Sequence, residues 1–365
     1  MRRAIPFNHE GVQVFVRNQW YVAGLSSEIG ATPFPRTIAN EKIVFYRTAN
    51  GDLIALPNRC PHRQVPLSEG CVVDDHIQCG YHGMKFSSAG RCVSIPSQSI
   101  VPERAHLKPY RVADAHGFAW IWIGDSEPAS FSAPDEFSVC SSEQYAGEML
   151  YAHAKTDYRL GIDNFLDASH VLFVHPWTVA SAAVTAAQTE LFVTDDEVRV
   201  RRTMPNEACS PMFKSMLKVD FIDRIQDAVF RPISHTWIDT TITLCGVENS
   251  PMMKTRTFGL FTPETESTCH LFAGLYRNFE IGNRQLSELT AQQIKKTIDE
   301  DIYICEQVQS NWDDDYPIVH FGVDQACLAA RRMIKNRAQP ADIQQAARQA
   351  TSTFSQIESA VAQIR

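Results

Sequence analysis

Two short segments combine cysteine and histidine in a pattern typical of metal ligands. The first is Cys60-Pro-His62 and the second is Cys79-Gly-Tyr-His82, with sixteen residues between His62 and Cys79. Each supplies one thiolate and one imidazole from a tight loop, so the four side chains can converge. This is the ligand set of a 2Fe–2S cluster in which two histidines bind one iron. A zinc site, or four unrelated loop residues, is the alternative, although zinc fingers usually keep cysteines and histidines in separate loops.

A second candidate metal site lies in the segment from Asn164 to Pro176, which contains His170 and His175. On an ideal helix, residues five positions apart point about 140° away from each other, which suits a shared metal poorly. The residue before a proline is pushed out of the α region, so we expect the helix to end before His175. His170 then reaches from the last turn and His175 from just beyond it. Together with a carboxylate, they would form the facial triad of a mononuclear iron site with open positions.

The elements that carry these residues divide the chain into two parts. The first third contains short segments rich in β-branched and aromatic residues, separated by turn-forming residues, at Lys42–Arg47, Asp52–Leu56 and Phe118–Ile123. This texture predicts a small all-β domain. After Gly124, a stretch dense in Ser, Pro and acidic residues predicts a linker. We therefore expect one domain over residues 1–125 and a second over residues 126–365.

The second part has a mixed pattern. A helical stretch is expected around residues 156–174, followed by several strands between about 190 and 280. Lys254–Phe261 and Thr268–Tyr276 flank the turn-like Thr262–Ser267 and predict a hairpin. From about Ser287 the apolar residues have helical spacing, and another helix is expected after Pro340.

Composition narrows the classes of function. The 365 residues carry a net charge of −8 with scattered Lys and Arg, so nucleic acid is not an expected partner. The N-terminus has no apolar run long enough for a signal peptide or a membrane span, which favours a cytoplasmic protein without a membrane partner. The ten cysteines are then expected to be thiols or metal ligands rather than disulfides. No GxGxxG fingerprint is present, so this chain itself is not expected to bind NAD(P)H.

The two metal motifs, in the spacing CPH, sixteen residues, CGYH and then NFLDASHVLFVH, resemble the Rieske oxygenases that work with only an α-type subunit. This group includes vanillate, dicamba and toluenesulfonate oxygenases, and the resemblance covers nearly the whole chain. It implies an α+β fold, in which an all-β Rieske 2Fe–2S domain is joined to a helix-grip catalytic domain with a central antiparallel sheet and C-terminal helices. It also implies a homotrimer and a separate flavin or ferredoxin-type reductase.

The resemblance points to Asp301 as the third ligand of the mononuclear Fe(II). Asp301 lies in an expected amphipathic helix, close to an apolar face where an unpaired carboxylate would be costly. The neighbouring Asp299 and Glu300 are the alternatives, and each is more often a solvated helix charge than a ligand.

The resemblance also assigns roles to two other residues of the second motif. Asp167 is implied to hydrogen-bond His170 and, across subunits, the cluster ligand His82, so that it bridges the two metal centres for electron transfer. A simple helix charge or cap is the alternative for Asp167. Asn164 lies one helical turn earlier and is expected to support the iron site without binding the iron itself.

The implied reaction uses O2 and electrons from the reductase to hydroxylate or O-demethylate an aromatic, anionic substrate. A ring cis-dihydroxylase is one alternative, and a Rieske electron carrier without catalysis is another. Four residues on the expected pocket strands are candidates to bind the substrate, although such residues are more often part of a core. They are His235, Trp237, His270 and Asn278.

Overall fold

The computed structural model describes residues 15–128 and 130–338. The first part is all β, with three small antiparallel sheets in the strand orders β1-β10-β9, β2-β3-β4 and β5-β6-β7-β8. The strands are β1 (Gln19–Leu25), β2 (Phe34–Ile38), β3 (Glu41–Arg47), β4 (Leu53–Pro57), β5 (Cys71–Val73), β6 (His76–Gln78), β7 (Lys85–Phe86), β8 (Cys92–Ser94), β9 (Val112–Ala115) and β10 (Phe118–Ile123). The strands expected in this part of the sequence are confirmed.

The second part is a seven-stranded antiparallel sheet with helices on one face, in the order β11-β17-β16-β15-β14-β13-β12. Its strands are β11 (Ala146–Ala154), β12 (Thr189–Val193), β13 (Val198–Ala208), β14 (Phe221–Arg231), β15 (His235–Leu244), β16 (Met253–Thr265) and β17 (Thr268–Arg277). The helices are α1 (Tyr158–Leu166), α2 (Val171–Val174), α3 (Ala182–Ala186), α4 (Pro211–Leu217), α5 (Arg284–Ser310) and α6 (Gln325–Ala338). The predicted α+β architecture is confirmed.

Both faces of the large sheet are covered, and they are covered by different partners. Because successive side chains of a strand point to opposite faces, Ile238 of β15 packs into the core beneath the helices, whereas Trp237 packs into a second core shared with the first domain. Trp120 of β10 is fully buried in that second core. Main-chain contacts reinforce the junction, since the Ala39 amide donates to the carbonyl of Pro263 at 2.9 Å.

The structure refines one expected boundary, the turn of the β16–β17 hairpin, and leaves two others untested. The β16–β17 hairpin turns over two residues, Glu266 and Ser267, because Thr262–Thr265 extend the strand instead of forming the turn. The connection after β10 contains a 3-10 helix at Asp135–Cys140, and the expected division between residues 125 and 126 falls in this connection and stays a prediction. The helix expected after Pro340 lies outside the described residues. Among the helices described, none has the length and apolarity needed to cross a membrane.

Candidate active site

The side chains of His170, His175 and Asp301 come together although they are distant in sequence. One ligand atom from each lies within 4.8 Å of the others. The two imidazole Nε2 atoms both face Asp301 Oδ1, at 3.3 Å from His170 and 3.0 Å from His175. Of the three neighbouring acidic residues considered as ligands, Asp301 is therefore the one that the structure brings to the Nε2 atoms of both histidines.

The local fold around the histidines explains their convergence. Helix α1 ends at Leu166 because Asp167 is extended, with φ −96° and ψ 98°, and a 3-10 turn then leads through His170 into α2. Helix α2 ends at Val174, and His175 leaves the helical conformation with φ −118° and ψ 51°. The expectation that the helix ends before His175 is confirmed. The break at Asp167 was not expected.

The outer nitrogen of each imidazole has its own acceptor. His170 Nδ1 lies 2.6 Å from the main-chain carbonyl of Asp167, and His175 Nδ1 lies 2.9 Å from Glu300 Oε2. These contacts favour the tautomer that carries its proton on Nδ1, which leaves the Nε2 lone pairs free to bind a metal. Glu300 therefore orients the candidate ligand His175, a role that the sequence did not indicate.

Asp301 is held as a charged carboxylate. Burial raises its pKa, but the imidazoles of His170 and His175, when also protonated at Nε2, outweigh this effect through hydrogen bonds and charge and lower the pKa to about 2. Asn164 Nδ2 donates to Asp301 Oδ1 at 3.0 Å, as a supporting residue would. Asp299 instead forms a surface pair with Lys295, one helical turn away.

Within the described residues, the hydrogen bond between Asp167 and His170 is made by the main-chain carbonyl rather than by the carboxylate, and the bridging role of Asp167 stays a prediction. Its Oδ1 accepts from the Ser169 amide at 2.8 Å and its Oδ2 accepts from the Ser169 hydroxyl at 3.0 Å. The carboxylate thus caps the 3-10 turn, and the main-chain carbonyl of the same residue binds the imidazole. Both Asp167 and His170 line an open groove of about 370 Å³ at the surface.

A mostly apolar cavity of about 110 Å³ opens directly beside the three candidate ligands, His170, His175 and Asp301. An engineered apolar cavity of about 150 Å³ binds benzene, so the space is of the order needed for a single ring. The apolar walls come from Phe165, Ala168, Val171, Val179, Val184, Met212, Phe213, Ile238, Leu275 and Ile294. The polar lining, apart from the ligands, comes from Asn164, Arg224, Gln226, Thr240, Thr255, Thr257 and Thr297.

None of the four residues expected to bind substrate lines this cavity. His270 illustrates the reason, because it lies on the face of β17 that is turned towards the first domain. Its Nε2 lies 2.8 Å from the Thr37 carbonyl of β2, and its Nδ1 lies 3.1 Å from the Tyr151 hydroxyl. Burial lowers the pKa of His270 to about 4. His270 is therefore a residue of the junction between the domains.

The other three candidates are also placed elsewhere. His235 and Trp237 occupy alternate positions of β15, and both side chains point away from the helices. The His235 ring packs edge-on against the Phe137 ring, and Trp237 Nε1 donates to the Asp239 carboxylate at 3.0 Å. Asn278 follows the end of β17, where its Oδ1 accepts from a main-chain amide of β16. The cavity is lined instead by the alternate residues of the same strands, such as Ile238 and Thr240.

The four residues of the first motif lie in two facing loops. Cys60 and His62 follow β4, and Cys79 and His82 lie between β6 and β7. Both cysteines are buried, whereas both histidines are exposed with ring centroids 4.6 Å apart. Gly80 permits the close approach of the loops, since a Cβ there would lie 2.6 Å from a main-chain oxygen of Glu69.

The thiol environment fits an iron–sulfur cluster. Burial raises the pKa of the Cys60 thiol, while the main-chain amides of His62 and Arg63 act in the opposite direction. Amides directed at sulfur are typical of cluster ligands, whose potential they tune. For the second centre, two imidazoles and one carboxylate match the ligand preference of non-haem iron(II). The fold and the two sites thus define an electron-transfer domain joined to a metal-dependent catalytic domain.

Comparison with known proteins agrees with this class. A model of the Rieske 2Fe–2S domain matches residues 19–105, and a model of the vanillate O-demethylase oxygenase C-terminal domain matches residues 154–339. The vanillate O-demethylase oxygenase subunit of a Pseudomonas species is 32% identical, over 88% of this chain and 94% of the relative. The oxygenase component of dicamba O-demethylase from Stenotrophomonas maltophilia is 30% identical, over 81% of this chain and 88% of the relative.

Solved structures give the same result. A crystal structure of dicamba monooxygenase bound to dicamba is 29% identical and superposes with a TM-score of 0.81, covering 89% of this chain and 98% of that one. Another structure of that enzyme contains non-haem iron. The chain belongs to the Rieske non-haem iron oxygenases, in the family of the vanillate O-demethylase oxygenase component. It is an oxidoreductase with a Rieske 2Fe–2S cluster and a mononuclear iron as cofactors and O2 as co-substrate.

Proposed function

We propose that this chain is the terminal oxygenase of a multicomponent system that hydroxylates or O-demethylates an aromatic substrate. Electrons come from a separate NAD(P)H-dependent reductase and pass through the Rieske cluster. The observation that carries the proposal is the ring-sized apolar cavity beside His170, His175 and Asp301, in a chain that also has a Rieske domain. Relatives named for vanillate and dicamba O-demethylation support the aromatic class.

Some residues of the site bind the metal or the substrate, and others position the metal-binding residues. When bound by the triad, iron(II) supplies a centre for oxygen activation with electrons from the cluster. Glu300 and the Asp167 carbonyl hold the Nδ1 protons, so both imidazoles present Nε2 to the same point. Apolar walls such as Phe165 and Ile238 hold a ring and exclude water from it.

The electron path is proposed to cross between chains of a homotrimer through Asp167. Two features support this: the cluster ligands His62 and His82 are exposed, and Asp167 with His170 lines an open surface groove. A cluster histidine of a neighbouring copy could enter such a groove and meet the carboxylate. The Asp167 carboxylate would then exchange its contact with Ser169 for one with that histidine.

Oxygen uptake tests the proposed function directly. The protein, loaded with both metal centres and supplied with a surrogate reductase and NADH, is screened with methoxylated, methylated and hydroxylated aromatics. We expect substrate-dependent uptake with release of formaldehyde or formation of a hydroxylated product. Asp301→Asn should abolish product formation, whereas Asp299→Asn, which alters the surface pair with Lys295, should not. A cis-diol product would contradict the proposed reaction, and reoxidation of the cluster with no oxygenated product would indicate an electron carrier.

A further inference from the structure

Arg202 of β13 is a buried cation without a direct charged partner. It lies directly opposite Gln226 of β14, so the two side chains share the face of the sheet that carries the cavity. Arg202 is 3% exposed. Within the described residues, its Nη1 has no hydrogen-bond partner, and no ion pair with a carboxylate includes its guanidinium. Buried charges are normally paired, because burial removes their hydration.

The neighbouring Arg224 shows the usual arrangement. It is 5% exposed, and its Nε and Nη2 donate to the Glu207 carboxylate at 2.6 Å and 2.5 Å. Glu207 therefore compensates the charge of Arg224. Beside Arg202, Gln226 offers an amide oxygen that has no partner in the part of the chain that the structure describes. A neutral oxygen can accept a hydrogen bond from Arg202, but it cannot compensate the charge.

The packing of β13 places Arg202 close to the 3-10 turn that follows Asp167. Met204 lies two positions further along the strand, about 7 Å away, and its side chain points to the same face. Met204 belongs to a small buried cluster with Ala168, the residue after Asp167. Burial lowers the pKa of Arg202, and the charge of the Asp167 carboxylate is the main influence in the opposite direction. Asp167 is therefore the carboxylate that faces this guanidinium.

The same packing puts Arg202 between the cavity and the open groove. Ala168 and Gln226 line the cavity, whereas Asp167 and Cys327 of α6 line the groove. Replacing buried charges by apolar side chains is often neutral or stabilising. An arginine with no direct ion pair at this position is therefore better explained by function than by stability.

We propose that Arg202 is a positioning residue for the electron path, whose guanidinium supplies the counter-charge that holds the Asp167 carboxylate at the groove. The inference rests on the proposed role of Asp167 as a bridge and deepens it. In the structure the carboxylate accepts two hydrogen bonds from Ser169. Charge attraction does not depend on one hydrogen-bond geometry. The carboxylate can thus exchange Ser169 for the histidine of a neighbouring copy while Arg202 continues to compensate its charge.

Melting temperatures of the holoprotein test the pair without turnover. Asp167→Asn keeps a good cap for the 3-10 turn and removes only the charge. It should lower the melting temperature by about 2–4 °C, because Arg202 loses its counter-charge. Arg202→Met removes the buried cation and should not lower the melting temperature. In the Arg202→Met background, Asp167→Asn should then have no further effect, whereas additive shifts would overturn the pairing.

The positioning role is measured as the rate at which the reduced Rieske cluster is reoxidised in a single turnover. The assay uses O2 and the aromatic that gives the fastest oxygen uptake in the screen above. Arg202→Met should slow reoxidation at least tenfold with unchanged iron content and Rieske spectrum, and it should not slow Asp167→Asn further. Arg202→Lys keeps the charge and should keep most of the rate. Arg201→Gln is the matched control, since Arg201 points to the opposite face and pairs with Asp227.

Each outcome bears on a distinct claim. Normal reoxidation in Arg202→Met, beside a strongly impaired Asp167→Asn, would overturn the role of Arg202 and leave the bridge. A slow Arg202→Met that also melts at a lower temperature and is not rescued by Arg202→Lys would show a structural role instead. Near-normal rates in both single variants would overturn the bridge together with the inference. Absence of oxygen uptake with any aromatic would overturn the proposed function itself, and the melting temperatures would still decide whether the two charges are paired.

Discussion

Replacing Glu300 should weaken iron binding although Glu300 is not one of the three candidate ligands. Its Oε2 accepts the Nδ1 proton of His175 at 2.9 Å, and the imidazole is only 1% exposed. Loss of such an outer partner typically lowers metal affinity by about 10–100-fold, or roughly 1.4–2.7 kcal/mol. Glu300→Gln keeps an acceptor and loses the charge, so we expect a loss near tenfold. Glu300→Ala leaves a buried N–H unpaired and should approach a hundredfold.

The assay is a calorimetric titration that measures the affinity of the mononuclear site for iron(II). The protein used lacks the mononuclear iron but retains its Rieske cluster. The visible absorption of the cluster should be the same in all variants and reports that the protein is intact. Asp299→Asn removes a neighbouring helix carboxylate that pairs with Lys295, and it is the matched control with unchanged affinity. If both Glu300 variants bound iron as tightly as the control, the orienting role assigned to this carboxylate would be refuted.

Three further perturbations follow from the structure. A Cβ at Gly259 would lie 2.4 Å from the Phe165 ring, so Gly259→Ala should lower the free energy of unfolding by about 1–3 kcal/mol, measured by chemical denaturation, and reduce turnover by displacing a cavity wall. Glu207→Gln leaves the buried Arg224 charge uncompensated, and the same denaturation measurement should show a loss of about 3–5 kcal/mol. The Asp167→Asn variant should load both metal centres yet lower turnover by orders of magnitude. Activity restored by co-expression with a Cys60 variant would support electron transfer between chains. Near-normal activity of Asp167→Asn alone would contradict the role of Asp167 as a bridge between the two metal centres.

Features that depend on a few residues close together in the chain could be predicted from the sequence. The spacing of Cys60, His62, Cys79 and His82 identified the cluster loops, and Pro176 predicted the end of the helix before His175. The sequence did not predict the helix break at Asp167, because this break depends on the Asp167 side chain capping the next turn. An aspartate followed by a serine two residues later is compatible with such a cap, but the pattern is too common to be decisive.

The position of the cavity beside the candidate metal ligands could not be predicted because both faces of the large sheet are buried. In β17, nine of ten residues are buried, so alternation of polar and apolar residues does not reveal which face the helices cover. His270 was selected on that strand but faces the first domain, whereas Leu275 faces the cavity. The residues alone did not decide among Asp299, Glu300 and Asp301, since consecutive helix positions point in directions about 100° apart; the family resemblance pointed to Asp301, and the structure places that residue beside the histidines.

The most direct test of the account is the iron content of paired ligand variants. The intact protein should contain the two irons of the cluster and one mononuclear iron per chain. We expect His170→Ala and Asp301→Ala to lose the mononuclear iron and all turnover while the Rieske absorption stays unchanged, and Cys60→Ser to lose that absorption. Full mononuclear iron and activity in Asp301→Ala would contradict the assignment of the catalytic centre.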